Sequence, residues 1–157
     1  MPEKISQLKI IAVTIGLLMI SGCSGKHLIT SADNNLSLEG CTPLPNCVSS
    51  TTCVLYNRTP QFELLIPRDV AWPKIKEVIL NIPRTEIVES DDVYIHAKCK
   101  SLVFRFVDNL ELLLHPVDNI ISVRSSSMIA IFDFGVNRWR IHDLRKQLEE
   151  LGIIKKE

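Results

Sequence analysis

The residues best suited to chemistry gather in the second half of the chain: Asp108, Glu111, Arg124, Asp133, Asn137, Arg138 and Arg140. Carboxylates, an amide and guanidinium forks in one region admit two uses. Arginine forks bind carboxylate or phosphate through paired hydrogen bonds, so the set can hold an anion or a polar headgroup. The same charges can instead pair with one another and fix one element on the next, and that is the simpler expectation. Asp108 falls on an apolar stripe, where an unpaired carboxylate is costly, so it requires a cation, several donors or a bulge that turns it outward. Arg138 and Arg140 lie where a last helix should begin, at the positive end of its dipole. Asp108, Asp133, Glu111 or a bound anion must then compensate them.

Other chemistries find less support. Ser125, Ser126 and Ser127 stand in a row, with His96 and His142 as conceivable partners, so an unrecognised hydrolase using a Ser/His or carboxylate site is the alternative reading. Consecutive serines suit a strand, however, no glycine-flanked nucleophile turn is present, and His96 reads as a surface residue. No catalytic residue is assigned. Cys41, Cys47, Cys53 and Cys99 are spaced too widely for zinc hooks, and no cation or helix start accompanies them to activate a thiol. No metal or cofactor is expected. Four cysteines in an exported chain predict two disulfides, with three connectivities open.

Export is itself read from the chain start. Lys4 and Lys9 precede an apolar run from Ile10 to Ile20, then Ser21-Gly22-Cys23. As a helix this run reaches roughly 16 Å at about 1.5 Å per residue, about half of a hydrocarbon layer of roughly 30 Å, which suits a signal peptide rather than a permanent span. Ile20-Ser21-Gly22-Cys23 resembles the bacterial lipobox, so residues 1–22 are expected to be removed and Cys23 to carry palmitate-like acyl chains. That places the protein in the cell envelope as a membrane lipoprotein; Ser24 favours the outer membrane, facing the periplasm, in a Gram-negative source. Residues 23–40 are small, polar and aperiodic, a flexible tether.

Behind this leader the pattern is globular. The 157 residues are 46% hydrophobic and 23% charged, with 18 basic and 18 acidic side chains, which excludes a disordered tail and a nucleic-acid partner drawn by a large positive field. The spacing predicts a helix over Asp69–Ile82, with Pro73 in its first turn, then a strand with Val93, Ile95, Ala97 and Cys99 inward. A longer strand follows with Leu102, Phe104, Phe106, Leu110, Leu112 and Leu114 on one face. A turn centred on Val117 and Asp118 sets Leu114 against Ile121, Leu112 against Val123, Asp108 against Ser127 and, on the other face, Glu111 against Arg124. A second helix runs from Asn137 to Leu151, with Gly135 taking a difficult backbone angle before it, Asn137 as cap and Gly152 as stop. Trp72, Trp139 and Phe134 sit at element ends, as lids on the core or the edge of a groove. The fold class is α+β: one domain over residues 41–152, a small antiparallel sheet with two helices on one face behind an extended Cys-containing segment, and a tail at 153–157.

Several blocks, in order and spacing, resemble the domain-of-unknown-function family 1499: Cys41 with Pro45-Asn46-Cys47-Val48-Ser49-Ser50, then Tyr94-Ile95-His96-Ala97, Phe104-Arg105-Phe106-Val107-Asp108, Arg124-Ser125-Ser126-Ser127 and Asp133-Phe134-Gly135-Val136-Asn137-Arg138. The match covers about residues 40 to 150. That family tends to carry acid at Asn109 and base at Met128 and Trp139. The resemblance implies a small exported, membrane-associated protein and no particular activity. The expectation is a non-enzymatic binding or assembly module for an anionic or lipid-like ligand or an envelope protein partner.

Overall fold

A computed structural model describes residues 28–30, 36–102, 106–128 and 133–157. The expected leader and the lipidation residue Cys23 lie outside the described residues, as does Phe104. Among the described residues no helix is long and apolar enough to cross a membrane.

The elements in chain order are β1 (Leu28–Thr30), β2 (Leu36–Leu38), β3 (Cys47–Ser49), a 3-10 turn (Leu55–Asn57), β4 (Phe62–Glu63), α1 (Arg68–Asn81), β5 (Thr85–Ser90), β6 (Tyr94–Lys100), β7 (Val107–His115), β8 (Ile120–Ser127) and α2 (Val136–Glu150). The main sheet runs β3-β8-β7-β6-β5, with β4 also on β8, and every pairing is antiparallel. β1 and β2 form a separate antiparallel pair. The architecture is thus α+β, as its pattern implied.

The β7–β8 register is the expected one: Leu114 faces Ile121, Leu112 faces Val123, Glu111 faces Arg124 and Asp108 faces Ser127. Ile95, Ala97 and Cys99, with Leu110, Leu112 and Leu114 and with Ile121 and Val123, are buried in one core with Trp72, Ile75 and Ile79 of α1 and Ile141, Leu144 and Leu148 of α2. Both helices therefore cover one face of the sheet. Leu38, Tyr94 and Leu113 form a smaller cluster on the other face, packed with Leu28.

Several local expectations are corrected. The stretch read as a flexible tether contains β1 and β2, and Leu38 is buried against the sheet. A lone apolar residue among polar ones carries no period, so this pairing left no signal. β5 was not anticipated either; Glu86 and Glu89 mask its alternation, as charged side chains do on an edge strand. α1 begins at Arg68, so Pro73 sits in its second turn rather than its first. Just before it, Trp72 is buried with its indole N–H donated to the Asp91 carbonyl at 2.9 Å, which ties the helix start to the β5–β6 turn. The strand expected from Leu102 begins at Val107, and Leu102 is 72% exposed. Ser101 and Phe106 exchange hydrogen bonds across the connection, and that closes the β6–β7 ladder.

The chain end is no free tail. Gly152 (φ 65) stops α2 with Ile153 N–H on the Leu148 carbonyl and Gly152 N–H on that of Glu149, the paired bonds of a Schellman motif. Ile153 and Ile154 are then buried, and Ile154 bridges Leu64. The hydrophobic contact past the helix stop draws in the residues that follow.

Of the cysteines, Cys41 and Cys47 form a disulfide. The second expected bridge is not made: Cys53 is exposed on a turn, while Cys99 faces the core beneath the helices, and both are thiols.

Candidate functional site

The seven polar residues are divided by the parity of the strands. Side chains two apart share a face, so Asp108 joins Leu110 and Leu112 under the helices. Glu111 and Arg124 point to the opposite face.

Under α2, Arg140 is the hub. Its Nη2 donates to Asp108 Oδ2 at 2.6 Å, and its Nη1 donates to Ser125 Oγ at 2.8 Å and Asn137 Oδ1 at 2.7 Å. Ser125 Oγ also donates to Asn137 Oδ1 at 2.6 Å, while Asn137 Nδ2 donates to the Asn46 carbonyl and Ser127 Oγ, both at 3.0 Å. All of Asp108, Ser125, Asn137 and Arg140 are buried. Asn137 is therefore not the helix cap. That work falls to Asp133, whose carboxylate accepts Gly135 N–H at 2.9 Å and Asn137 N–H at 3.0 Å. Gly135 does take the expected left-handed angle (φ 79), but it follows Phe134, also left-handed at φ 52. For a residue with a side chain that conformation costs about 1–2 kcal/mol.

On the opposite face Glu111 is fully buried (0% exposed) and takes Tyr94 Oη–H on Oε1 at 2.7 Å and Arg124 Nη1–H on Oε2 at 2.8 Å. Arg124 Nη1 also reaches Ser126 Oγ at 2.8 Å, and Glu39 lies 3.8 Å from its Nη2. Beside this group, His96 Nε2 and Asn109 Oδ1 are 2.9 Å apart. His96 is buried, contrary to its reading as a surface residue, because its strand is interior to the sheet and its ring is held between Tyr94 and Asn109. Tyr94 was not anticipated as a member; its position two residues before His96 was the available signal.

Arg138 belongs to neither cluster. It is exposed, and its guanidinium donates to the carbonyls of Tyr56 and, at 3.2 Å, Arg58. Arg138 and Arg140 thus serve different partners, the first the Tyr56 and Arg58 carbonyls and the second Asp108. Two buried atoms, Asp108 Oδ1 and Arg124 Nε, have no hydrogen-bond partner among the described residues.

The serines are committed as well. Ser125 and Ser126 serve the two arginines, and the Ser122–His115 contact at 2.8 Å involves a fully buried hydroxyl that also receives Gln61 Nε2–H at 3.0 Å. Among the described residues no group of three His, Cys, Asp or Glu is placed to hold a metal ion.

Among the described residues, cavities open on the surface beside the β7–β8 turn and beside α2. One, of about 540 Å³, lies at the β7–β8 turn and is lined by Leu36, Val93, Leu113, Leu114, His115 and Pro116 with Val117 and Asp118. The other, of about 240 Å³, lies at the start of α2 between Pro45, Tyr56, Phe134 and Arg138.

Burial, reinforced by the Glu111 carboxylate, raises the Tyr94 hydroxyl above its ordinary 10.0; burial raises the Cys99 thiol above 9.0, against the pull of Arg140. In both groups the folded state holds the proton more tightly. Their stabilisation is thus complete below the ordinary value and is lost as pH rises toward the folded one. Above about pH 10 each proton kept only by the folded state tilts stability by about −1.4 kcal/mol per pH unit. Urea unfolding between pH 8 and 11 should show stability falling from pH 9 onward, and Tyr94→Phe should flatten the part above pH 10.

Fold and site define a two-layer α+β domain with one buried ion pair on each face of its sheet, Asp108–Arg140 and Glu111–Arg124. A family profile described as protein of unknown function (DUF1499) matches residues 37–148, and the chain belongs to that family. No curated protein and no solved structure matches it.

Proposed function

We propose that this is a lipid-anchored envelope protein, held by acylated Cys23, whose domain is a non-enzymatic module binding an acyl-chain-like ligand. The observation that carries the reading is the cleft of about 540 Å³ beside the β7–β8 turn, with an apolar lining and His115 and Asp118 at its polar edge. Its size falls within the roughly 300–1,000 Å³ of small-molecule sites, and a few polar groups on an apolar wall suit a ligand with a long apolar body and a small head. The charged clusters do not compete for this role, since Arg124 and Arg140 are already paired with Glu111 and Asp108. On this reading an anionic ligand held by the arginines is set aside, and so is a Ser/His hydrolase, since the Ser125 and Ser126 hydroxyls are taken by the arginines and Ser127 by the Asn137 amide.

Native mass spectrometry of the full chain released from membranes tests this. The expected spectrum shows a non-covalent mass increment of fatty-acid or lipid size above the acylated chain. Leu36→Lys, at the partly exposed rim of the cleft, should abolish the increment. A bare chain in the wild type, or an increment that survives Leu36→Lys, overturns the ligand. Labelled palmitate that marks Cys23→Ser as strongly as wild type overturns the anchor.

A further inference from the structure

We infer that the amino-terminal end of α2, with the loop and 3-10 turn packed beside it, is a surface that rests on an anionic lipid bilayer. Three segments far apart in sequence are fastened together there. Asn57 Nδ2 donates to the Thr42 and Leu44 carbonyls, both at 2.9 Å, and Arg138 donates to the Tyr56 and Arg58 carbonyls. The joined surface carries Leu44, Leu55, Tyr56, Phe134, Val136 and Trp139, all exposed. Phe134 at 92% and Leu55 at 81% gain almost nothing from the fold around them, and Trp139 is 66% exposed. Phe134 is also held outward by a strained backbone, with left-handed angles at 134 and 135 locked by the Asp133 cap. Strain that places an aromatic ring in solvent points to something outside the chain that receives it.

The charges around this surface select the receiver. Residues 40–62 contain Arg58 and no Asp or Glu, and residues 134–142 contain Arg138 and Arg140 and no Asp or Glu. Arg140 is consumed by Asp108, and the Asp133 carboxylate is turned onto backbone amides. Arg58 and Arg138 are left as exposed cations beside exposed Trp, Tyr and Phe rings. Rings with an apolar body and a polar edge settle at the level of lipid headgroups, and arginines beside them meet phosphate. Leu28, five positions after Cys23, packs with Leu38, Tyr94 and Leu113 on the other face of the sheet, so the anchor proposed above would bring the domain to a bilayer, while the composition of the surface at the start of α2 selects the face that meets it.

The full chain is reconstituted into vesicles of equal parts phosphatidylglycerol and phosphatidylcholine, with or without bromine on the upper acyl carbons, and its tryptophan emission is compared with that of Trp139→Phe. Trp139 is exposed and Trp72 buried, so the expected result is a blue-shifted component quenched by bromine in wild type and missing from Trp139→Phe. In vesicles of phosphatidylcholine alone that component should weaken, since the arginines lose their counter-charge. A chain that floats with the vesicles while its emission ignores bromine overturns the docking and leaves the anchor standing; this surface then faces a protein partner. A chain that does not float with the vesicles overturns both.

Discussion

Arg140→Met should lower the free energy of unfolding by about 3–5 kcal/mol, the usual cost of removing one partner from a buried ion pair. For a domain of this size that is a fall in Tm of about 10 °C or more. The cost arises at Asp108. Its Oδ2 loses the guanidinium 2.6 Å away, and its Oδ1 is already without a hydrogen-bond partner among the described residues. A bare carboxylate would then face Leu110 and the underside of α2. Ser125 and Asn137 lose the same donor, so the ties between the helix start and β8 loosen together. Asp108→Leu combined with Arg140→Met should recover most of the loss, because an apolar pair of similar volume avoids the desolvation of two charges. Urea unfolding of the two single variants and the double variant measures the coupling. A single-variant loss below about 1 kcal/mol would mean that helix α2 is held by its apolar stripe alone, and the network would need another purpose.

The parts of this fold that were legible share a physical cause. Alternation in β7 and β8 leaves one register in which both faces are satisfied, since a slip of one residue would turn Leu110, Leu112 and Leu114 away from the helices and set Glu111 beneath them. The left-handed angle at Gly135 was legible for a similar reason: few residues other than glycine accept it without strain. Illegible elements are those without a period of their own. β1 and β2 are three residues each, and β5 is an edge strand written in glutamates. The candidate site was legible as a list and not as a place. Its residues were read as polar and charged groups in need of partners, without the face each would take. The same alternation that aligned Glu111 with Arg124 also set that pair on the face opposite Asp108, and so divided the list into two clusters. Asn137 shows a further limit. From sequence it is an ordinary cap, and only the approach of α2 to Ser125, Ser127 and Asn46 reveals it as a buried bridge.

The second large effect is expected on the opposite face. Glu111→Leu removes a fully buried carboxylate that holds both Tyr94 and Arg124, and should cost about 3–5 kcal/mol as well. Arg124 would keep Glu39 3.8 Å from Nη2, but that side chain is half exposed, so much of the arginine's charge stays uncompensated. Glu111→Gln should fall between Glu111→Leu and wild type, since its amide oxygen still accepts Tyr94 Oη–H while its charge is gone. The order wild type, Gln, Leu in unfolding midpoint separates a charge pair from a packing contact: equal midpoints for Gln and wild type would show that the charge contributes nothing. The cluster also lies across the sheet from α2. Glu111→Gln that folds at 25 °C should therefore leave the bromine quenching of Trp139 unchanged, whereas a loss of quenching in that folded variant would make the far face part of the functional surface rather than its foundation.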